Sequence, residues 1–310
     1  MPDTGHNSRP QQAWIITGPT SGIGYRAALA LAEHGPVVLV GRDPRKLDEV
    51  KNEIQAHPDV RAIPVVCDFS QLSSVRRAAE QIIALQLPIG GLLNNAGIFP
   101  LAPGQTDAGW DLCFATNHLG PFAFTEALIP HLPDGADVLF VVSAVEDPER
   151  KPAVIAGFRG GRYISAEASA HGEWQPGGSS KAGYDAYATA KQCDLATALA
   201  FARETPRLRF NAIEPGLNPG TGLGRDANPA LRFLAKYVAA PLAPLIPHWS
   251  TPTRAAQIIT AILMSQSGQT GVYYDENGQP MVGSTQVRDP AFQDRVVAET
   301  RALLACRRCR

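Results

Sequence analysis

The composition of the 310-residue chain narrows the class of protein before any motif is considered. Hydrophobic residues make up 45% of it, enough to bury the core of one large α/β domain or two ordinary ones. Lys and Arg number 28 against 29 Asp and Glu, and a net charge of -1 gives no overall field that would recruit nucleic acid. We therefore expect a small-molecule partner.

The two ends of the chain are predicted to lie outside the folded domain. The polar segment 1–12 lacks the apolar region of a secretory signal, and we expect it to be a loose arm. The basic tail, residues 305–310, is expected to be exposed. The most apolar late stretch, 238–246, is broken by two prolines and is too short to span a bilayer, so we predict no integral membrane segment.

The five cysteines are too few for a disulfide framework in a chain of this length. Cys67, Cys113 and Cys193 lie in apolar stretches and are predicted to be reduced core residues, which favours a cytoplasmic location. Cys306 and Cys309 form a C-x-x-C in the basic tail, with neither a second pair nor a histidine nearby in the sequence. We therefore predict no metal.

Short β-rich runs alternate with longer helical patterns from Trp14 onward. Five predicted strands come first, with the sequences WIIT, VVLV, AIPVVC, GLLN and DVLFVVS, and LRFNAIE and GVYY follow later. This alternation predicts βαβ units and a parallel sheet buried on both faces. We therefore predict an α/β fold, a doubly wound Rossmann-type parallel sheet of seven strands, in a single domain over 13–304.

Two long segments interrupt the alternation. Residues 145–183 are rich in Gly, Ser, Ala and charge, and we predict an insertion there. Residues 216–252 are rich in Pro and Gly and are predicted to form a lid. Loops of this length are usually functional or disordered. Neither a repeat nor a linker accompanies them, which favours one domain over two.

The turn after the first predicted strand has the sequence TGPTSGIG, residues 17–24, and opens a helix. Its glycines, Gly18, Gly22 and Gly24, let the backbone approach a pyrophosphate, whose charge is then met by N–H groups at the helix N-terminus. A glycine triplet alone also fits an ordinary turn between a strand and a helix, so this pattern by itself leaves that alternative open.

If the glycine-rich turn binds a dinucleotide, the residue after the second predicted strand distinguishes NAD from NADP. An acidic side chain there accepts hydrogen bonds from the ribose 2′-hydroxyl of NAD. This chain has Arg42, whose guanidinium suits the 2′-phosphate of NADP, although Asp43 follows it and would favour NAD if it turned inward. We predict NADP(H) as the favoured cofactor over NAD(H).

Tyr187 and Lys191 are spaced i and i+4, which places a phenol and an ammonium on one face of a helix. Alone, such a spacing is most often an ordinary surface pair. Here it follows the fifth predicted strand, which ends at Ser143, and Asn117 lies in the preceding helical segment TNHLGPF.

Together these motifs resemble the short-chain dehydrogenase/reductase family. The spacing T-G-x-x-x-G-x-G, the NNAG ending at Gly97, Asp68 after the third strand and the P-G of residues 215–216 match the family's landmarks in order. The catalytic residues that the resemblance implies are Asn117, Ser143, Tyr187 and Lys191. The dinucleotide site that it implies is formed by Gly18, Thr20, Ser21, Gly22, Ile23, Gly24, Arg42, Asp68, Phe69, Asn95, Ala96, Gly97, Tyr187, Lys191, Pro215, Gly216 and Thr221.

The chemistry of hydride transfer explains why these residue types are needed. Hydride leaving C4 of the nicotinamide turns a carbonyl into an alkoxide, which an acid must protonate. A free phenol has a pKa of about 10, so the Lys191 ammonium and the oxidised nicotinamide are expected to lower the pKa of Tyr187 toward neutrality. Tyr187 is then the proton donor in reduction and the base in oxidation, while Ser143 stabilises charge on the substrate oxygen.

By resemblance, Lys191 also holds the nicotinamide ribose, Asn117 positions a water for proton relay, and Thr221 contacts the carboxamide or pyrophosphate. The prediction is an NADP(H)-dependent oxidoreductase that moves a hydride between nicotinamide and a ketone, aldehyde or secondary alcohol. A sensor that binds the dinucleotide without turnover is the alternative on the same fold. Family members often pair through the helices before and around the tyrosine, so we expect a homo-oligomer unless the insertion blocks that surface.

Within the family, TGPTSGIG, TNHLGPF and TGLGR resemble the branch of retinol dehydrogenases and light-dependent protochlorophyllide reductases. The cysteine that the reductase carries after its P-G is replaced here by Leu217, which disfavours the alternative of C=C reduction in a tetrapyrrole-like pigment. A bulky apolar ketone or alcohol is the expected substrate. Phe99, Leu101 and residues 242–246 are the candidates to line its pocket.

Two histidines lie near these motifs. His118, next to Asn117, is expected to be structural, and His171 in the insertion either reaches the substrate or is solvated. No pair of His, Cys or carboxylate residues has metal-ligand spacing, which also predicts no metal.

Overall fold

A computed structural model describes residues 12–56, 60–100, 102–218, 248–265 and 267–306. The strands are β1 (Ala13–Thr17), β2 (Val37–Gly41), β3 (Ala62–Val66), β4 (Ile89–Asn94), β5 (Asp137–Val141), β6 (Arg209–Ile213), β7 (Tyr273–Tyr274) and β8 (Pro280–Met281). They form one sheet in the order β3-β2-β1-β4-β5-β6-β7-β8. Strands β1 to β7 run parallel, and β8 pairs antiparallel with β7.

The predicted doubly wound α/β fold with seven parallel strands is confirmed, and the structure adds an eighth strand. β8 is two residues long and follows β7 through a turn in which the N–H of Asp275 donates to the carbonyl of Gln279 at 2.8 Å. A strand this short leaves no periodicity in the sequence. The Asn277-Gly278 dipeptide in the turn is the signal that could have revealed it, since Asn-Gly is a common hairpin turn.

Helices cover both faces of the sheet. They are α1 (Gly22–Ala32), α2 (Pro44–Ile54), α3 (Leu72–Ala84), α4 (Leu112–Phe114), α5 (Gly120–Leu128), α6 (Lys151–Ala156), α7 (Ala166–Ala170), α8 (Tyr184–Glu204), α9 (Pro252–Leu263) and α10 (Pro290–Cys306). A π-helical turn, Ala115–Leu119, joins α4 to α5. One hydrophobic core packs α1, α2 and α9 on one face, and the other packs α3, α5, α8 and α10 on the opposite face.

The order of the strands reverses at β1. The chain passes from β1 to β2 and β3 on one side and returns to β4 on the other, so the carboxyl ends of β1 and β4 border a crevice. Ile16 of β1 is in register with Leu93 of β4, so the glycine-rich turn and the NNAG segment leave the sheet side by side. In doubly wound sheets this crevice is where ligands bind.

The insertion, residues 145–183, is held by long-range contacts. Tyr163 is fully buried, and its hydroxyl donates to Glu299 Oε2 at 2.6 Å. The N–H of Ala166 donates to the same oxygen at 3.1 Å. Because Glu299 lies on α10, the insertion and the last helix stabilise each other.

Within the described ranges, no helix combines the length and the apolar character that a bilayer crossing requires. Cys67, Cys113 and Cys193 are buried, as predicted, and Cys306 is exposed. Cys309 and the arm up to residue 11 lie outside the described residues.

Candidate active site

Three glycines shape the turn between β1 and α1. Gly18 and Gly22 have φ values of +69° and +59°, the left-handed region that glycine enters freely. A Cβ on Gly24 would lie 2.3 Å from the carbonyl oxygen of Gly18 and 2.4 Å from Nδ2 of Asn95. Glycine at 24 therefore lets the start of α1 lie directly against the turn.

The N-terminus of α1 suits a diphosphate. Ser21, the N-cap, is exposed and makes no side-chain capping hydrogen bond, and the first turn of this 11-residue helix holds no acidic residue. The leading N–H groups of a helix have no partner within it, and the helix dipole favours negative charge at this end. A dinucleotide pyrophosphate fits this combination of uncapped donors and close backbone approach.

Asn95 braces the glycine-rich turn from the neighbouring strand. Its Nδ2 donates to the carbonyl oxygens of Thr17 at 2.8 Å and Gly18 at 3.3 Å. The backbone N–H groups of Asn95 and Ala96 both donate to Thr17 Oγ1 at 2.9 Å. The amide nitrogen of Asn95 is thus committed to the turn, which leaves its Oδ1 for the predicted contact with the dinucleotide.

Asp68 and Phe69 follow β3 at the same edge of the sheet. Asp68 Oδ1 accepts from the backbone N–H of Ser70 at 2.9 Å and from its hydroxyl at 2.7 Å. The ring of Phe69 is buried edge-on against Phe124, with ring centroids 5.5 Å apart. Ile23 is buried as well, so the core covers most of both apolar side chains.

Arg42 lies directly after β2 and is exposed. Asp43 is the N-cap of α2, and its Oδ1 accepts from the N–H groups of Arg45 at 3.1 Å and Lys46 at 3.4 Å. In this structure the carboxylate of Asp43 does not turn inward, because its Oδ1 caps the helix. Of the two charged side chains in this loop, Arg42 is the one that does not cap the helix.

Ser143 and Tyr187 are in contact. Ser143 follows β5 with an extended backbone, and its side chain hydrogen-bonds the phenol of Tyr187 in the first turn of α8. Burial raises the pKa of Tyr187 well above its ordinary value, the Glu214 carboxylate adds to the rise, and the hydrogen bond from Ser143 lowers it. The protein by itself thus moves this pKa in the opposite direction to the predicted one, because desolvation outweighs any neighbouring positive charge.

Lys191 lies one turn further along α8 and is 5% exposed. Its Nζ donates to the carbonyl of Val141, at the end of β5, at 2.9 Å and to Asp194 Oδ2 at 3.2 Å. An ammonium has three N–H donors, so these two bonds leave one donor of Lys191 for another partner.

Asn117 lies in the π-helical turn and is 1% exposed. Its Oδ1 accepts from the N–H of Ile98 at 2.8 Å, and its Nδ2 donates to the carbonyl of Ile98 at 2.8 Å. Both ends of the amide hold the segment after β4 against the helix. The side chain therefore positions that segment, and only the backbone of Asn117 is left for the predicted water contact.

An aromatic wall, made of Phe99, Phe158 and Tyr184, borders Tyr187. The Tyr187 ring centroid lies 4.8 Å from that of Phe99 and 6.4 Å from that of Phe158. Phe158 stacks on Tyr184 at 4.3 Å. Phe99 is predicted from the sequence, but Phe158 is not, because nothing in the insertion marks it before the fold brings it to the tyrosine.

Glu214, the last residue before the P-G, is a buried carboxylate that the motifs do not reveal. Its Oε2 accepts from the N–H of Ala144, and its Oε1 accepts from the N–H of Gly216 at 3.1 Å. It therefore ties the loop after β5, which carries Ser143, to the loop after β6. Burial raises the pKa of Glu214. The carboxylate that ends the strand sequence LRFNAIE, directly before the P-G, is the signal that could have drawn attention to it.

Glu146 is a second buried carboxylate behind Ser143. It is fully buried, and its oxygens accept from the N–H of Ser284 at 2.8 Å and from the Ser284 hydroxyl at 2.6 Å. Burial raises the pKa of Glu146 from 4.5 to about 7. Its contribution to stability is therefore fully present below pH 4.5 and is lost as the pH rises through 7.

We expect the free energy of unfolding of the wild type, relative to Glu146→Gln, to fall by about 3 kcal/mol between pH 4.5 and pH 7.5, because the amide does not ionise. Urea unfolding of both proteins across this range measures the difference. The control is Glu149→Gln, an exposed neighbour whose difference from the wild type should stay flat. If the difference in unfolding free energy between the wild type and Glu146→Gln is also flat across this pH range, the raised pKa of Glu146 is contradicted.

Several further predicted residues lie either on the surface or in the part of the chain that is not described. His171 lies on the surface, where its Nδ1 is 2.8 Å from the carbonyl of Glu167. Thr221, Leu101 and residues 242–246 lie outside the described residues. Among those that are described, no group of three His, Cys, Asp or Glu side chains is arranged to hold a metal ion.

Comparison with known proteins gives matches along most of the chain. The family model described as short chain dehydrogenase matches residues 12–151. A short-chain dehydrogenase/reductase of Armillaria gallica is 30% identical over 277 residues, which cover 87% of this chain and 85% of the relative. A protein of Streptomyces sp. (strain C5) with the provisional name daunorubicin C-13 ketoreductase is 29% identical over 91% of this chain and 89% of its own. Protochlorophyllide reductase of Pisum sativum is 27% identical over 85% of this chain and 69% of its own.

Solved structures show the same fold. An uncharacterised protein from Mycobacterium paratuberculosis has a TM-score of 0.69 and 25% identity, covering 95% of this chain and 93% of its own. A short-chain dehydrogenase from Burkholderia cenocepacia J2315, in complex with NADP, has a TM-score of 0.64 and 21% identity, covering 87% of this chain and 97% of its own. With the order of its motifs and the extent of these matches, the chain belongs to the short-chain dehydrogenase/reductase family.

Proposed function

We propose that this protein is an NADPH-dependent carbonyl reductase that acts on a bulky apolar or aromatic ketone or aldehyde. The observation that carries the proposal is the contact between Ser143 and Tyr187 beside a helix N-terminus that suits a diphosphate. A hydroxyl and a phenol that share one hydrogen bond can both reach a single substrate oxygen. That is the arrangement needed to protonate an alkoxide as it forms.

Bound NADPH supplies the hydride. Ser143 donates a hydrogen bond to the substrate oxygen and stabilises the charge that develops there. Tyr187 gives its phenolic proton to the same oxygen, since a phenol is protonated at neutral pH. The remaining N–H of Lys191 holds the nicotinamide ribose, and the Asn117 side chain keeps the segment after β4 in position.

The preference for NADPH over NADH rests on the loop after β2. Arg42 is exposed there, while the neighbouring carboxylate of Asp43 is used to cap α2. A guanidinium forms charge-assisted hydrogen bonds with a phosphate, and the ribose 2′-phosphate distinguishes NADP from NAD.

Arg42→Ala is expected to raise the KM for NADPH by about 10- to 100-fold, the range for loss of a hydrogen bond between charged groups, and to leave the KM for NADH nearly unchanged. Steady-state kinetics with each cofactor measures the effect. Asp43→Asn keeps a capping oxygen and should leave the ratio of the two KM values as it is. A preference for NADH that persists in Arg42→Ala would rule out this role of Arg42.

The substrate class follows from the aromatic wall. Phe99 and Phe158 contact the ring that donates the proton, and Tyr184 stacks behind them. Aromatic side chains pack favourably against flat apolar ligands. The name of the Streptomyces relative refers to a ketone of daunorubicin, which supports a large ring-bearing substrate.

The test of the proposed function is the disappearance of NADPH absorbance with a panel of aromatic and open-chain ketones and aldehydes. We expect turnover with aromatic ketones and higher KM values for the open-chain compounds. NADPH binding without turnover across the panel would contradict the enzyme and favour a dinucleotide sensor. Turnover of open-chain ketones alone would contradict the assigned substrate class.

A further inference from the structure

Four buried polar side chains form a continuous chain behind the active-site face of α8: Lys191, Asp194, His118 and Thr300. Their exposed fractions are 5%, 3%, 1% and 0%. His118 Nδ1 lies 3.2 Å from Asp194 Oδ1, and His118 Nε2 lies 3.1 Å from Thr300 Oγ1. Asp194 Oδ2 accepts from Lys191 Nζ at 3.2 Å. These contacts connect α10, the π-helical turn and α8 to the lysine of the site.

The chemistry of the groups sets the direction of each hydrogen bond. The Asp194 carboxylate faces the Lys191 ammonium and, when ionised, can only accept, so the proton of a neutral His118 is on Nδ1. His118 Nε2 is then an acceptor, and the Thr300 hydroxyl donates to it. Every polar side-chain atom of Asp194 and His118 therefore has a hydrogen-bond partner among these four residues.

This hydrogen-bonded chain controls the direction of the third N–H of Lys191, which has no partner among the residues that the structure describes. The carbonyl of Val141 and Asp194 Oδ2 each take one N–H of the ammonium. Because the three N–H bonds are tetrahedral, two fixed partners leave a single direction for the third. A donor that is already oriented loses less conformational freedom when a ligand binds.

We propose that Asp194, held in place by His118 and Thr300, is a positioning residue that orients Lys191 toward the nicotinamide ribose and so sets the affinity for the dinucleotide. The proposal rests on the proposed function in that it takes Lys191 as the ribose-binding residue. It gives a role to His118, and it makes the last helix, α10, part of the support of the site although α10 supplies no residue to it.

Two substitutions test this hydrogen-bonded chain, one at the residue next to Lys191 and one at its far end. Asp194→Asn keeps the size of the side chain but replaces a charge-assisted bond to Lys191 by a neutral one of about half the strength, so we expect the Kd for NADPH to rise about three- to tenfold. Thr300→Val removes the hydroxyl that holds His118 and is expected to raise the Kd about two- to threefold. Fluorescence titration of NADPH measures both without any need for turnover.

The matched control is Thr197→Val on α8. Thr197 is as buried as Thr300, but its hydroxyl has no hydrogen-bond partner within the part of the chain that the structure describes. The same loss of a hydroxyl should therefore leave the Kd for NADPH unchanged. Thermal unfolding of each variant shows whether the proteins compared are equally folded.

The same substitution made in a Lys191→Met protein distinguishes a positioning role of Asp194 from a purely structural one. If Asp194 acts through Lys191, then Asp194→Asn should leave the Kd for NADPH unchanged when it is made in a Lys191→Met protein. In the otherwise unchanged protein, the KM for the carbonyl substrate should stay constant, since Ser143 and Tyr187 contact that substrate. A general loss of folded protein would lower kcat while leaving the Kd for NADPH as it was.

The outcomes for the network and for the proposed function are distinct. Wild-type protein that binds NADPH but reduces no carbonyl contradicts the proposed function, and the Kd comparison then still decides the role of Asp194. An unchanged Kd in Asp194→Asn, an effect of Thr300→Val no larger than that of Thr197→Val, or an equal effect in the Lys191→Met protein would each overturn the positioning role. Lack of binding to NADPH and NADH by the wild type would overturn both.

Discussion

Tyr187→Phe is expected to lower kcat for carbonyl reduction by about 10²- to 10⁴-fold, the usual contribution of a general acid, and to leave the Kd for NADPH within about twofold. The phenylalanine ring keeps the packing against Phe99 and Phe158 and loses only the hydroxyl bonded to Ser143. Initial rates of NADPH oxidation and fluorescence titration of NADPH measure the two quantities separately.

Tyr273→Phe is the control for this substitution. Tyr273 is buried, and its hydroxyl has no hydrogen-bond partner among the residues that the structure describes, so its removal should leave kcat unchanged. If Tyr187→Phe retained a rate close to that of the wild type, another group would have to supply the proton, and the proposed mechanism would be wrong.

Ser143→Ala is expected to lower kcat by about 10²- to 10³-fold, the effect of removing one donor that stabilises a developing oxyanion. The backbone at 143 is extended, with φ -157° and ψ 138°, and the next N–H is held by Glu214, so alanine can take the same conformation. The loss should therefore appear in the rate and not in the thermal stability, which differential scanning fluorimetry checks.

Two further measurements make the assignment of Ser143 specific. Ser143→Thr keeps a hydroxyl and should recover most of the lost rate. In the direction of alcohol oxidation Tyr187 acts as the base, and loss of the Ser143 hydrogen bond raises the pKa of Tyr187 further. The rising limb of the pH–rate profile should then move to higher pH in Ser143→Ala, and an unmoved limb would contradict the contact.

The fold was predictable because its signals are local. Most of the predicted parallel strands are runs of apolar residues, and the glycine-rich turn marks the boundary between the first strand and its helix. The order of strand and helix then limits the sheet to a doubly wound topology, because parallel crossover connections are right-handed. The two-residue strand β8 was missed since a pairing of that length depends on the partner strand and not on its own sequence.

The candidate site was predictable only in part. The pairing of Tyr187 with Lys191 follows from helical spacing. Ser143 is expected near them because the carboxyl ends of parallel strands all lie at one edge of the sheet. The carboxylate of Glu214 and the ring of Phe158 reach the same place from segments without a motif. The direction of the Tyr187 pKa depended on the burial that these neighbours create.

The class of fold follows from the sequence by itself, and the sequence also predicts the glycine-rich turn and the hydroxyl, phenol and ammonium of the candidate site, because the signal for each lies within a few neighbouring residues. The tertiary structure decided that the Asn117 amide is used by Ile98 and that Lys191 is linked to α10. The contacts in that link join residues 76 and 182 positions apart. A pairing over such a separation has no local signature, since it forms only when packing has ordered both segments.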